Sequence, residues 1–148
     1  MKLWRISNYS DLSGAGGLRY SARWHTKGRP VIYAAEHPAG ALSEFLVHID
    51  LEDMPNSFQL VTIELGDDIE AIKLEPDQLP KGWITDTRIS RAVGDEWLKF
   101  GTSLLLRIPS VIIPDAYNIL INPSHSDMNK LNVTKVERVP LDYRLGRS

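Results

Sequence analysis

A mixed α+β fold is what the sequence predicts, on three observations. Strand-type runs open and close the chain, at residues 3–7 and 133–139; two segments between them carry apolar residues at helical spacing; and the apolar runs of residues 104–121 are short and cut by Pro109 and Pro114. With 148 residues, 43% hydrophobic and 24% charged, one domain spanning residues 1–148 is expected, large enough to bury a core without disulfides. The sequence has no cysteine, which removes thiolate catalysis and zinc ribbons from consideration. No apolar run approaches the roughly 18–20 residues that a bilayer requires, and residues 1–5 lack a signal-peptide core, so no membrane contact is expected and the cytoplasm is the expected location.

Taken in order, residues 3–7 read as a strand, followed by a polar loop containing Gly14, Gly16 and Gly17. That loop lacks the Lys-Ser/Thr pair of a Walker motif and the spacing of a dinucleotide fingerprint. The β-branched and aromatic run 31–34 is strand-like and carries Tyr33. Pro38 suits a first helical turn, and Ala41, Leu42, Phe45, Leu46 and Ile49 make one apolar helical face. Glu44 points about 130° from the centre of that face, so periodicity alone predicts a solvated side chain. Residues 58–65 and 69–74 are strand-like around Gly66-Asp67-Asp68, and a β-hairpin is expected. Residues 86–100 read as a second helix, with Gly94 weakening the pattern; 104–108, 111–113 and 119–121 read as short strands.

The net charge of −2 hides an asymmetry. Residues 1–33 hold six basic side chains against Asp11, whereas residues 44–77 hold ten acids against Lys73. An acidic middle argues against direct nucleic-acid binding, while the basic start suits one small phosphorylated ligand. The four histidines are too dispersed for a helical zinc site, and no metal is expected. A nucleophile elbow of the Gly-x-Ser-x-Gly type is missing, and nothing in the spacing of His25 and His48 favours a ribonuclease pair.

Several stretches nevertheless form an ordered set: Leu3-Trp4-Arg5-Ile6-Ser7, Gly16-Gly17-Leu18-Arg19, Ala22-Arg23-Trp24-His25, Val31-Ile32-Tyr33-Ala34-Ala35, residues 38–44 ending in Glu44, residues 109–114 around Ser110, and Asn118 with Asn122-Pro123. In this set the chain resembles the RES domain, named for an Arg, a Glu and a Ser, which is the toxin half of a bacterial toxin–antitoxin pair. The resemblance implies an ADP-ribosyltransferase-like fold, small β-sheets flanked by helices around an NAD-binding cleft. It also implies a toxin that depletes NAD⁺ by cleaving the nicotinamide–ribose bond, by hydrolysis or phosphorolysis, with NAD⁺ a consumed substrate and no true cofactor. The implied partner is an Xre-like helix-turn-helix antitoxin, forming a hetero-oligomer in which any DNA contact belongs to the antitoxin. The family's Arg, Tyr, Glu and Ser fall on Arg23, Tyr33, Glu44 and Ser110. Ala22 stands where Gly commonly precedes the Arg, and Ser126 follows His125 where Pro is common.

The chemistry of these side chains fits such a reaction. Breaking the nicotinamide–ribose bond develops positive charge on the sugar, which the carboxylate of Glu44 can stabilise. Arg23 offers a planar fork of donors for a diphosphate, with Arg19 and Arg5 as secondary phosphate ligands. The ring of Tyr33 can face the cationic nicotinamide, an interaction of roughly 0.5–2 kcal/mol. Ser110 is expected to orient a phosphate or a catalytic group, and Asn118 to bind the polar edge of the substrate. Each has a plainer reading too: a surface or ion-paired arginine, a core tyrosine, a solvated glutamate, a turn serine, an asparagine that pins the turn before Pro123, and Trp24 as a packing anchor. Transfer of ADP-ribose to a protein is the alternative reaction; a non-catalytic interaction module or a ribonuclease toxin are alternatives of other classes.

Overall fold

The computed structural model describes residues 1–146. Seven strands, β1 (Lys2–Ile6), β2 (Ile32–Ala35), β3 (Ser57–Glu64), β4 (Ala71–Lys73), β5 (Leu105–Pro109), β6 (Tyr117–Ile121) and β7 (Asn132–Pro140), form one mixed sheet in the order β4-β5-β6-β2-β1-β3-β7. The α-helices of the described residues are the single turn α1 (Gly16–Arg19), α2 (Pro38–Val47) and α3 (Thr87–Phe100), with short 3-10 turns elsewhere. The α+β class read from the sequence is therefore the observed one. The small sheets that the family resemblance implies are recognisable as two halves, β4-β5-β6-β2 and β1-β3-β7, joined where β1 meets β2 at the single register pair Trp4 and Ala35.

Consecutive strand residues point to opposite faces, and the two cores follow that alternation. Leu105, Ile119 and Ile121 bury on one face with Leu3, Ile32, Ala34, Val61 and Ile63. Leu106, Ile108 and Leu120 bury on the other, beneath Trp97 and Leu98 of α3 together with Trp24, Leu79 and Trp83. Helix α3 begins at Asp86, whose carboxylate accepts the Arg88 amide, and ends at Gly101 in the left-handed region. Helix α2 packs against both β1 and β2, with Phe45 tilted against Phe58 of β3 at 6.1 Å between ring centroids. Pro38 occupies its first turn, where a missing N–H costs nothing.

Two sequence expectations fail. Residues 69–74 do not form a hairpin with β3: β4 crosses to the far edge of the sheet and pairs in parallel with β5. Leu65 and Ile69 are drawn into the first core around the 66–68 turn, which redirects the chain instead of reversing it. Arg107 of β5, stacked 3.5 Å over the Tyr117 ring, pairs with Glu36 and with Glu75 just beyond β4 and so ties that edge down. Residues 111–113 form a turn, because Ser110 Oγ accepts the amides of Ile112 and Ile113, leaving both isoleucines exposed.

Candidate active site

Asn118 of β6 lies opposite Ala35 of β2, and Tyr33 lies opposite Leu120. Tyr33 and Asn118 are thus diagonal neighbours on one face of the sheet, a separation of roughly 7–8 Å. Trp4, opposite Ala35 on the other side, shares that face. From α2, Glu44 reaches down to it: its Oε1 accepts from Asn118 Nδ2 at 2.8 Å and from Ser110 Oγ at 3.3 Å. Among the described residues no protein group donates to Oε2 of Glu44, so an oriented, half-buried carboxylate presents one free oxygen. The solvated placement expected from helical periodicity is corrected here. A helical wheel records only where one helix is apolar, and the polar side of α2 meets two donors from β6 and the end of β5.

Tyr33 joins this face to the Arg23 loop. Its hydroxyl accepts the Trp24 amide at 3.3 Å and lies 2.7 Å from Nδ1 of His25. Burial, the largest influence, pushes the phenol well above its ordinary range, so it stays neutral and acts neither as base nor as anion. The hydroxyl is fully engaged; what Tyr33 can offer a ligand is its ring.

Arg23 is half-buried, donates from Nη1 to the Ile84 carbonyl at 3.0 Å, and makes no ion pair among the described residues. Its backbone is clamped to α3 residue by residue. Arg91 Nε donates to the Ala22 carbonyl at 2.7 Å, Ser90 Oγ donates to the Arg23 carbonyl, and Asp95 accepts from Thr26 N at 2.8 Å and Thr26 Oγ1 at 2.7 Å. Gly94 makes this approach possible, since a Cβ there would lie 1.6 Å from the Trp24 carbonyl oxygen. The glycine that weakens the helical pattern in the sequence is the contact point of the helix, and in retrospect it was the signal for these supporting residues.

Of the residues singled out from sequence, Glu44, Ser110 and Asn118 are hydrogen-bonded together, and Tyr33 reaches Arg23 through the amide of the next residue, Trp24. Arg19 is exposed in the last turn of α1, in contact with none of them through a hydrogen bond or ion pair among the described residues. Arg5 lies opposite Val61, whose side chain is in the core of the other face, and its guanidinium donates to Asp11 O and Ser7 Oγ. Burial lowers the pKa of that guanidinium, and Arg5 is turned away from Tyr33 and Glu44. Trp24, 3% exposed and 5.7 Å from Trp83 between centroids, is the packing anchor expected of it. Asn122 is buried and pins the turn through the Ser124 amide. An open depression of about 520 Å³ beside the Arg23 loop, lined by Thr26, Lys27, Arg29, Asp95, Lys99 and Phe100, contains neither Glu44 nor Tyr33.

Comparison with known proteins places these residues in context. The chain is 46% identical over 147 residues to "Toxin Res" of Pseudomonas putida, covering 98% of this chain and 99% of that protein. It is 36% identical over 154 residues to "Prs ADP-ribosylating toxin" of a Sphingobium species, covering 97% and 96%. Among solved structures, the crystal structure of the M. tuberculosis MbcT–MbcA toxin–antitoxin complex contains a chain of the same fold, with a TM-score of 0.73 and 19% identity over 98% of this chain and 86% of that one. The RES domain model matches residues 2–143, and the chain belongs to the RES domain family.

Proposed function

We propose that this chain is the toxin of a toxin–antitoxin pair and an enzyme that breaks the nicotinamide–ribose bond of NAD⁺. The observation that carries the reading is the Glu44 carboxylate, held through one oxygen by Ser110 and Asn118 and, among the described residues, free at the other, above the sheet face that bears Tyr33. The bond between the nicotinamide nitrogen and the ribose carbon breaks with its electron pair leaving on nicotinamide, and the sugar passes through an oxocarbenium-like state. Glu44 lowers that barrier by placing negative charge beside the sugar and accepting a ribose hydroxyl on its free oxygen. The Tyr33 ring faces the nicotinamide, and Arg23, which has no carboxylate partner among the described residues, binds the diphosphate. Water then yields ADP-ribose and a proton, or inorganic phosphate yields the phosphorylated sugar. The toxins among the relatives support an antitoxin partner, proposed here as an Xre-like protein that neutralises the enzyme by covering the site. No helix of the described residues is long and apolar enough to cross a membrane.

The test is nicotinamide release from NAD⁺ by the purified chain beside Glu44→Gln. Glutamine keeps an acceptor for Ser110 and Asn118, so the variant should fold, bind NAD⁺ and turn over about 10²–10³-fold more slowly. Parent-like turnover would refute the assignment. A second reading, transfer of ADP-ribose to a protein, is favoured by the name of the Sphingobium relative. It predicts a mass increase on a target protein in place of free ADP-ribose.

A further inference from the structure

His25 is 2% exposed, and neither of its nitrogens faces solvent chemistry. Nε2 lies 3.3 Å from the carbonyl oxygen of Gly17, and Nδ1 lies 2.7 Å from the Tyr33 hydroxyl. A carbonyl only accepts, so the bond to Gly17 requires the proton on Nε2. In a neutral ring Nδ1 is then a lone pair and accepts from Tyr33. The Tyr33 oxygen has donated its only proton and accepts the Trp24 amide. With the ring neutral, one direction runs through the chain: Trp24 N–H to Tyr33, Tyr33 O–H to His25, His25 Nε2–H to Gly17.

The far end is equally rigid. The Gly17 carbonyl also accepts the Gly28 amide at 3.1 Å, filling both its lone pairs. A Cβ on Gly17 would meet the Arg29 carbonyl at 2.5 Å, so this segment is packed as tightly as backbone allows. The ring of His25 also packs on that of Tyr33, 5.6 Å apart at 49°.

We propose that His25 is a positioning residue: as the neutral Nε2–H tautomer it transmits the restraint of the Gly17 carbonyl to the Tyr33 hydroxyl, and so fixes the Tyr33 ring and the turn at Trp24 that follows Arg23. The proposal rests on the reading of Tyr33 as the ring beneath nicotinamide. His25 touches no substrate; it acts by removing the rotational freedom of a side chain that does. A free tyrosine would have to be ordered at each binding event, and a ring already held makes that cost part of folding.

The resting protein provides the first test, by long-range ¹⁵N–¹H NMR of the labelled chain at neutral pH. Nε2 should be protonated and Nδ1 bare; the opposite tautomer or an imidazolium would overturn the proposal. Tyr33→Phe keeps the ring and removes the hydroxyl, so the Nδ1 resonance should move and the Trp24 amide should exchange faster with solvent. An unmoved Nδ1 resonance would overturn it. In nicotinamide release, Tyr33→Phe and His25→Asn should each raise KM for NAD⁺ by roughly 3–10-fold with kcat little changed, and the double variant should be no worse than either single one. Effects that multiply would refute the linkage. Should His25→Asn not fold, the Tyr33→Phe measurements decide alone. A parent chain that releases no nicotinamide would count against the enzymatic reading and leave the tautomer result standing.

Discussion

Gly94→Ala isolates the contact that holds the Arg23 loop on α3. In an ordinary helix the change adds about 1 kcal/mol of stability, because alanine restricts the unfolded backbone more than glycine does. Here the new Cβ would lie 1.6 Å from the Trp24 carbonyl oxygen, so helix and loop must part by roughly 2 Å to restore van der Waals contact. Bonds of 2.7–2.8 Å from Arg91 to Ala22 and from Thr26 to Asp95, together with that from Ser90 to Arg23, do not survive such a displacement. At about 0.5–1.5 kcal/mol each they sum to roughly 2–6 kcal/mol, which exceeds the helix-propensity gain. A net loss of about 1–5 kcal/mol is expected, read from urea or thermal unfolding as roughly 2–4 °C of Tm per kcal/mol. The displacement also moves Arg23, so KM for NAD⁺ should rise in the fraction that stays folded. Ala92→Gly, at an exposed position on the same helix, should cost about 1 kcal/mol and leave KM alone. A Gly94→Ala protein as stable as its parent, or more so, would refute the clamp.

Other expectations follow from the same geometry. Arg23→Ala should lower kcat/KM for NAD⁺ by about 10–100-fold, and Arg23→Lys should recover little of it, since a point charge cannot grip a diphosphate in two places; steady-state kinetics of both variants check this. Asn118→Leu removes the shorter of the two bonds to Glu44 and should cost roughly 1.5–3 kcal/mol of stability and depress kcat more than KM, measured by urea unfolding and nicotinamide release. Because burial raises the phenol of Tyr33 in the folded state, its contribution to stability is complete below the ordinary tyrosine value of 10.0 and declines as pH rises beyond it, when the unfolded chain ionises and the folded one does not. The urea midpoint should fall between about pH 9 and about pH 11 in the parent and fall less in Tyr33→Phe.

Much of the fold was legible where periodicity and local chemistry agree. Pro38 and Asp86 mark the starts of α2 and α3, and each of the strands β1 to β7 lies on a run that reads as β. The pairing of β4 was not legible, because adjacency and a turn-forming 66–68 favour a hairpin, whereas the parallel partner β5 lies more than thirty residues downstream. Within the candidate site, Arg23, Tyr33, Glu44 and Ser110 were reached through family resemblance, not through periodicity, which sent Glu44 toward solvent. The place of His25 is not legible in the sequence, since a buried bond to a backbone carbonyl leaves no trace in residue spacing. Residue spacing likewise gives no sign of what Arg91 and Asp95 hold, since their partners are the backbone and hydroxyl groups of a loop some seventy residues earlier.

The seam between β1 and β2 has one rung, Trp4 with Ala35, and α2 is laid across it, touching both strands. The segment that carries the proposed reactive carboxylate is thus also the rivet between the halves of the sheet. A substitution that loosens its grip, at Phe45 for instance, would therefore both weaken the join between the halves and shift Glu44 above the sheet.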